Sequence, residues 1–232
     1  RCAEPYFSKR GNGSAKEFIE AYKANYAKTN GRGLICIPSG NHDMDRLARS
    51  LDPEELRVAF AFLLSMPGAP FIYYGDEIGM RYVEGLTSVE GGFGRTGSRS
   101  PMQWDSGLNA GFSSARPDML YIPQDPSHDR PDAASQSADE NSLRSEVKRL
   151  IAVRMANPAL QSNGKIEFIS DGYPLVYKRT AGTQSIAVII NPSAQEAVVP
   201  DIVGRLVYSI GSAEVKENST VIGGCSAAFV EL

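Results

Sequence analysis

Two short apolar runs on either side of a helix-sized segment constrain the fold of this chain more than any other feature. Residues 34–37 and 71–74 carry apolar and aromatic side chains throughout, as in parallel strands that are buried on both faces. Between them, Asp52-Pro53-Glu54-Glu55 offers a cap, a first-turn proline and early acidic side chains, and it predicts a helix that runs to about Met66. This order of strand, helix and strand predicts a right-handed parallel crossover in an α/β fold.

The flanking segments add two helices and one long loop. Apolar side chains recur at helical spacing over residues 15–28, with Ser14 as the predicted N-cap and Asn30-Gly31 as the stop. Residues 79–140 are rich in Gly, Ser, Pro and Asp, and a loop of this length in a compact protein is usually functional or disordered. Helical periodicity returns over residues 141–157 and ends at Pro158.

The chain becomes β-rich after Gly164, with short runs separated by turn signals such as Asp171-Gly172. The runs cover residues 166–169, 175–178, 186–191, 197–199, 206–210 and 227–230. They predict a small all-β antiparallel sandwich. We therefore predict two domains, one over residues 1–160 and one over residues 161–232.

Composition and charge exclude several classes of function. The 232 residues are 42% hydrophobic and 22% charged, with a formal net charge of −3. No cluster of Lys and Arg offers a surface to nucleic acid, and the longest apolar run, residues 58–66, is half a membrane span. Cys2, Cys36 and Cys225 form no C-x-x-C pair, so we predict small buried or incidental thiols and no metal site.

Polar clusters follow both predicted strands. Asn41-His42-Asp43 comes after the first strand and Asp76-Glu77 after the second. Parallel-strand barrels carry their reactive groups where strands end and loops begin. Taken alone, a His-Asp pair at such a position is equally a hydrogen-bonded pair that caps the next helix.

Several segments carry motifs of one enzyme family. Asn41-His42-Asp43-Met44-Asp45-Arg46 resembles the N-H-D motif at the end of the seventh barrel strand of the α-amylase family, glycoside hydrolase family thirteen. Residues 68–77 resemble that family's eighth-strand signature, G-x-P-x-I-Y-Y-G-x-E. Residues 99–104 are similar to the R-T-P-M-Q-W segment of oligosaccharide-acting α-glucosidases and trehalose synthases, with Ser in place of Thr. Residues 148–160 resemble the last barrel helix, and the β-rich tail resembles the family's C-terminal domain.

The resemblance implies the fold. Residues 1–160 would form the C-terminal portion of a (β/α)8 TIM barrel, from its sixth to its eighth helix and with the long loop at about residues 79–140. Residues 161–232 would form the β-sandwich that follows the barrel.

The resemblance also implies roles for individual residues. Asp43 matches the family's third carboxylate, which accepts hydrogen bonds from two sugar hydroxyls as the ring distorts toward an oxocarbenium ion. His42 would donate to hydroxyls of the same sugar, and Asn41 is assigned a supporting place. Arg46 would bind substrate and orient this cluster by charge-assisted hydrogen bonds. The alternative is that Arg46 lies on a helix surface, as arginines usually do.

Four further residues are candidates on the second strand and the long loop. Arg99 would contact substrate and Trp104 would support the pocket, or both would anchor the loop. Tyr74 is expected to pack at the barrel top more than to touch substrate. Glu77 would support the site through a neighbour, and we do not assign it as the general acid.

The two carboxyl groups that a retaining glycosidase needs, a nucleophile and an acid/base, have no match in the chain. In the family they lie on the fourth and fifth strands, whereas residues 1–40 hold one helix and one strand. Two parallel strands leave edges and apolar faces open. We therefore expect an N-terminal half of the barrel or self-association as partner, and no glycosidase activity from this chain alone.

Other readings stay open. The parent protein would be a retaining α-glucoside hydrolase or transglycosylase acting on α-glucans or short α-linked gluco-oligosaccharides, and trehalose synthases fit the motifs nearly as well. The alternative is a non-catalytic amylase-like interaction or sugar-binding domain. We expect no cofactor: calcium is frequent in the family, but its usual ligands would lie upstream.

The start of the chain bears on processing and compartment. Arg1 replaces a starting methionine, which we interpret as processing or a fragment, and no signal-peptide pattern follows it. The compartment stays open, with the cytoplasm favoured over secretion.

Overall fold

The computed structural model describes residues 4–232, and these divide into two compact units. One unit comprises the described residues up to Ile37 together with Glu54–Pro70 and Arg149–Leu232. The other comprises Pro38–Pro53 and Phe71–Lys148. The predicted boundary near residue 160 lies inside the first unit and stays a prediction.

The described chain contains the helices that the sequence predicts, with ends shifted by at most two residues. They are α1 (Lys16–Thr29), α2 (Pro53–Ser65) and α4 (Leu143–Ala156), and a further short helix, α3 (Ala133–Ala138), precedes α4. Asn30 ends α1 in the left-handed conformation, as predicted. The N-cap position of α1 is Ala15, not Ser14, whose Oγ instead accepts a hydrogen bond from the Lys16 amide at 3.2 Å.

Helix α3 lies within the predicted long loop and was not foreseen. Its six residues are too few for a periodic apolar pattern, so sequence periodicity gives no signal there. The Asp132 side chain caps it by accepting a hydrogen bond from the Ser135 amide at 2.8 Å.

The two predicted parallel strands are present but short and poorly covered. They are β1 (Cys36–Pro38) and β2 (Ala69–Phe71), and they form a two-stranded sheet. The Ala69 amide donates to the Ile35 carbonyl and the Ser39 amide to the Phe71 carbonyl, so the pairing advances in the same direction along both strands. The expectation that both faces are buried is wrong for the described chain: Leu34 is 54% exposed and Phe71 59%.

The shortness of the second strand also corrects its predicted limits. Residues 72–74 lie beyond β2 rather than in it, because the chain turns at Gly75 and Asp76 bonds back to the Tyr73 carbonyl at 3.0 Å. The α/β class nevertheless holds.

The β-rich region consists of antiparallel sheets. A five-stranded sheet has the order β3-β4-β5-β10-β7, and a three-stranded sheet has the order β6-β9-β8. The strands are β3 (Lys165–Asp171), β4 (Leu175–Ala181), β5 (Gln184–Asn191), β6 (Ala197–Pro200), β7 (Arg205–Ile210), β8 (Ala213–Val215), β9 (Ser219–Ile222) and β10 (Ser226–Glu231). Six of these were predicted; β8 and β9 were not, since they are short and mix polar with apolar residues.

The two antiparallel sheets share one buried hydrophobic cluster. Its members come from both sheets and the segments between them: Val176, Ala187, Ile189, Val199, Ile202, Ile222, Ala228 and Val230. Burying this set from water supplies the main stabilisation of the region.

The cysteines follow the prediction only in part. Cys225 is half-buried and Cys36 is exposed, so the expectation of a buried thiol is wrong for Cys36. Cys36 is a free thiol. Cys2 lies outside the described residues.

Helix α2 is buried almost all round, and two buried arginines hold its C-terminal end. Arg154 donates to the carbonyls of Leu64 (2.8 Å), Met66 (2.7 Å) and Gly68 (2.9 Å). Arg179 donates to the Ser65 carbonyl and to that of Gln161 at 2.7 Å. The last carbonyls of a helix lack intrahelical donors and carry a partial negative charge, so cations suit this end.

Burial lowers the pKa of both guanidinium groups, that of Arg179 to about 10, because charge is costly away from water. The chain reaches β2 from this helix end through Gly68, where φ is +93° and a Cβ would collide with the Ile35 carbonyl oxygen.

None of the helices formed by residues 4–232 combines the length and apolar character needed to cross a bilayer.

We predict that Arg154→Met lowers the free energy of unfolding by about 2–4 kcal/mol, because buried carbonyls lose charged donors. Urea denaturation would measure this. The control is Arg116→Met, which removes an exposed arginine paired only with Asp118 and should change stability by less than about 0.5 kcal/mol. Equal effects of the two changes would contradict the role given to Arg154.

Candidate functional site

The carboxylate of Asp43 is the centre of a small cluster of charged side chains. Its Oδ1 accepts hydrogen bonds from Arg95 Nη1 at 2.7 Å and from Arg99 Nη2 at 3.0 Å. His42 Nε2 lies 3.4 Å from Oδ2. The Asp43 side chain is 46% exposed, so its outer side is open to a ligand. The structure thus brings three of the predicted site residues, Asp43, His42 and Arg99, into contact.

Local hydrogen bonds fix the loop that carries Asp43. Asn41 Oδ1 accepts from the Asp43 amide at 2.8 Å, which is the pattern of an Asx turn. Arg99 Nε donates to the His42 carbonyl at 2.9 Å. Asn41 therefore supports Asp43 through the backbone, and Arg99 contacts both the loop and the carboxylate.

Arg46 and Asp76 form a buried ion pair between the loops that follow β1 and β2. Arg46 is 1% exposed, and its Nη1 donates to Asp76 Oδ1 at 3.1 Å and to the Tyr74 carbonyl at 2.6 Å. The Ser39 hydroxyl donates to the other oxygen, Asp76 Oδ2, at 2.6 Å. Burial raises the pKa of Asp76, while Ser39 and Arg46 act to lower it by stabilising the carboxylate.

Two tyrosine rings enclose the Arg46 guanidinium. Its central carbon lies 4.8 Å from the ring centroid of Tyr73 and 4.8 Å from that of Tyr74, within the range of cation–π attraction. The Tyr74 hydroxyl donates to the Ser100 carbonyl at 2.8 Å, and burial raises the pKa of Tyr73 to about 12. Tyr74 therefore connects the second-strand loop to the segment that contains Arg99.

A cavity of about 420 Å³ lies beside these groups, within the range of small-molecule sites. Four predicted site residues line it: Tyr74, Glu77, Arg99 and Trp104. The rest of its lining is apolar or aromatic: Pro101, Met102, Phe112, Leu120, Tyr121 and Ile122. We refer to Trp104, Phe112 and Tyr121, which are all about half exposed, as the aromatic wall.

Glu77 is the acidic side chain of the cavity lining. Its Oε2 is buried and has no hydrogen-bond partner within residues 4–232. Burial raises the pKa of Glu77, and the neighbouring Asp76 carboxylate raises it further, against the opposing effects of Arg46 and of backbone amides.

The structure separates the predicted residues into two groups that Arg99 joins. Asn41, His42 and Asp43 form the charged cluster, and the other group lines the cavity. Arg46 belongs to neither: its side chain is enclosed and its hydrogen bonds go to Asp76 and Tyr74, a position from which it orients loops. The substrate and catalytic roles assigned from the sequence stay predictions.

Sequence reasoning missed Arg95, Ser39 and the pairing of Asp76 with Arg46. Arg95 and Arg99 are four residues apart, and the turn at Thr96–Arg99 directs both at one carboxylate. That spacing was a usable signal. Nothing in the sequence marked Phe112 and Tyr121 as neighbours of Trp104.

Within the described residues, no group of three or more His, Cys, Asp or Glu side chains is arranged to hold a metal ion.

The described residues thus combine an α/β fold with a charged strand-end cluster and a cavity that is partly lined by aromatic side chains. The family model described as "Alpha amylase, catalytic domain" matches residues 9–163. The chain therefore belongs to the α-amylase family of glycoside hydrolases, and the resemblance found in the sequence is confirmed.

Curated relatives support the same family. The chain is 42% identical over 120 residues to trehalose synthase/amylase TreS of Mycobacterium tuberculosis, and this match covers 49% of the present chain and 19% of TreS. It is 31% identical over 182 residues to a probable alpha-glucosidase of Rhizobium meliloti, a match that covers 71% of this chain and 32% of the relative. It is 30% identical over 209 residues to an oligo-1,6-glucosidase of Parageobacillus thermoglucosidasius, a match that covers 74% of this chain and 36% of the relative. The chain thus spans about a third or less of these relatives.

Solved structures show the same fold. Trehalulose synthase MutB, in a variant complexed with Tris, superimposes with a TM-score of 0.81 at 20% identity, over 97% of this chain and 48% of that one. A MutB variant in complex with sucrose superimposes with a TM-score of 0.80 at 21% identity, over 94% of this chain and 47% of the MutB chain.

We predict that Arg46→Met lowers the free energy of unfolding by about 3–5 kcal/mol, because it leaves the Asp76 carboxylate buried without its cation. The double variant with Asp76→Leu should cost less than the sum of the two single changes. Chemical denaturation measures all three. Arg49→Met is the control: Arg49 pairs with Asp45 and Glu84 at the surface, so about 1 kcal/mol or less is expected. If Arg46→Met is no costlier than Arg49→Met, the buried pair does not organise the loops.

Proposed function

We propose that this chain is the C-terminal part of a retaining α-glucoside hydrolase or transglycosylase that acts on short α-linked gluco-oligosaccharides. In this proposal Asp43 stabilises the transition state, while the nucleophile and the acid/base come from outside the chain. The observation that carries it is the Asp43 carboxylate, held by Arg95 and by Arg99, where Arg99 also lines the adjoining cavity.

The proposed chemistry at Asp43 follows from where charge develops. A retaining glycosidase passes through an oxocarbenium-like transition state, and hydrogen bonds to sugar hydroxyls strengthen as that state forms. The guanidinium groups of Arg95 and Arg99 both contact Oδ1 of Asp43. The other oxygen, Oδ2, lies next to His42, and the Asp43 side chain is about half exposed to solvent. Oδ2 is thus free to accept a hydroxyl from a glucosyl ring, and His42 stands beside it as a donor.

The fold assigned with this function is the C-terminal portion of a (β/α)8 barrel over residues 1–160 and a β-sandwich over residues 161–232. Two observations support it: the parallel pairing of β1 with β2, and the cluster that the two antiparallel sheets share. A barrel needs eight strands. The exposed apolar side chains of Leu34 and Phe71 are suited to cover by the N-terminal half of the barrel or by a second copy. Any calcium of the parent protein would take its ligands from outside this chain.

The substrate class rests on the relatives. Of the three relatives described above, the two that match over 182 and 209 residues are named probable alpha-glucosidase and oligo-1,6-glucosidase, and the one that is 42% identical is named trehalose synthase/amylase. We accordingly propose maltose, isomaltose and trehalose as the substrates to compare.

We predict that Asp43→Asn, in the protein completed with its upstream half, lowers kcat on maltose by roughly 10²–10⁴-fold, the equivalent of several kcal/mol lost from the transition state. Steady-state kinetics with glucose detection provide the measurement. The matched control is Asp45→Asn, which changes a surface carboxylate paired with Arg49 and should leave kcat within about twofold. Unchanged turnover in Asp43→Asn would favour the alternative of a non-catalytic amylase-like domain.

We predict that residues 1–232 alone hydrolyse no maltose, because the two carboxyl groups of the retaining mechanism are supplied elsewhere. Mixing the chain with the separately produced upstream half should generate activity in proportion to the complex formed, as followed by size-exclusion chromatography. Enzyme-like turnover by the chain alone would refute this division of roles.

A further inference from the structure

The cavity lining contains two charged side chains, Arg99 and Glu77, and one carboxyl oxygen of Glu77 has no hydrogen-bond partner within residues 4–232. Arg99 donates from Nε to the His42 carbonyl and from Nη2 to Asp43. Glu77, in contrast, forms no ion pair within residues 4–232, and its Oε2 lacks any hydrogen-bond partner there. The Tyr74 hydroxyl is likewise occupied, because it donates to the Ser100 carbonyl. Glu77 is therefore the lining group with unused hydrogen-bonding capacity.

A buried carboxyl oxygen without a partner is costly, so its presence requires an explanation. Oε2 has essentially no exposed surface, although the Glu77 residue itself lines the cavity. The last torsion of a glutamate side chain is soft and roughly two-fold. A turn of the carboxyl group about this bond would bring the oxygen toward the cavity, where a ligand could supply the missing hydrogen bond.

The aromatic wall defines the shape and chemistry of such a ligand. Its three rings are about half exposed, and they offer apolar surface in a lining that has few polar groups. Sites of this kind bind by apolar contact and are made specific by a few placed polar atoms. A pyranose ring fits this pattern, because its C–H faces are apolar and its hydroxyls project from the edge.

We propose that Glu77 is the specificity-determining residue of this cavity and that its carboxyl group binds one hydroxyl of a sugar ring packed on the aromatic wall. The proposal rests on the proposed function in that the ligand is a sugar of the substrate class. It is independent of any catalytic role for Asp43.

The electrostatic surroundings favour the protonated form of Glu77 more than those of an exposed glutamate do. Burial and the Asp76 carboxylate raise the pKa of Glu77, whereas Arg46 and backbone amides lower it, with a net rise. The other polar groups of the lining belong to Arg99, Tyr74, Trp104 and Tyr121. The proton stays on Glu77 to a higher pH than on an exposed glutamate, so a glutamine, which keeps an N–H donor and a C=O acceptor, should replace it.

Trp104 is the single tryptophan of the chain and forms part of the wall, so its fluorescence reports on the cavity directly. The experiment titrates the 232-residue chain with maltose, with sorbitol as an acyclic polyol for comparison. We expect a saturable change with maltose and none with sorbitol. Glu77→Leu should weaken the apparent maltose affinity by about tenfold or more, and Glu77→Gln should retain it within about threefold.

Glu196→Leu is the matched control, since it makes the same chemical change at an exposed position outside the cavity lining. It should bind maltose like the unmodified chain, and thermal unfolding should confirm that all variants are folded. The proposal is overturned if maltose gives no saturable signal, if Glu77→Leu binds as the control does, or if Glu77→Gln loses as much affinity as Glu77→Leu. These outcomes concern binding alone, so they are distinct from a failure of the proposed catalysis, which Asp43→Asn tests through turnover.

Discussion

The buried ion pair between Arg46 and Asp76 is the interaction on which the candidate site depends. Removing two charges from water is expensive, and attraction offsets that cost only when the remaining donors and acceptors are also served. Here Ser39 donates to the carboxylate and the Tyr74 carbonyl accepts from Arg46 Nη1. Arg46 Nε and Nη2 have no hydrogen-bond partner within residues 4–232, and two tyrosine rings lie against the guanidinium instead. The pair thus fixes the loop after β1 to the loop after β2, and with them the positions of Asp43 and Glu77.

The charged cluster around Asp43 contrasts with that buried pair, because water reaches it. Exposed ion pairs are screened and contribute little to stability. The same contacts become stronger when water is excluded, since the effective dielectric constant falls. The exposed apolar residues Leu34 and Phe71 belong to the same pattern: strands and cluster both have surfaces that a further part of a barrel would cover. Under this proposal, the N-terminal half of the barrel would cover the two strands and would also exclude water from the cluster around Asp43, which would strengthen its ion pairs.

The C-terminal end of α2 shows a different solution for buried charge. Arg154 and Arg179 bond to main-chain carbonyls at the end of α2 and in the segment before β3, rather than to carboxylates. A helix C-terminus offers several carbonyl oxygens and a partial negative charge, so it accommodates a cation without an acidic side chain. This arrangement ends α2 at a defined place and leaves Gly68 to make the close approach to Ile35 that begins β2.

The sequence by itself determined three of the four α-helices, six of the eight antiparallel strands and the family, because periodicity, caps and strand-end motifs are local signals. It also placed Asp43, His42 and Arg99 together through the motifs that carry them. Only the tertiary structure decided that Arg46 pairs with Asp76, that Arg95 reaches Asp43, and that Phe112 and Tyr121 complete a wall with Trp104. These contacts join residues far apart in the chain, and their partners follow from how a long irregular loop folds. The composition and residue spacing of a single segment do not predict how that loop folds.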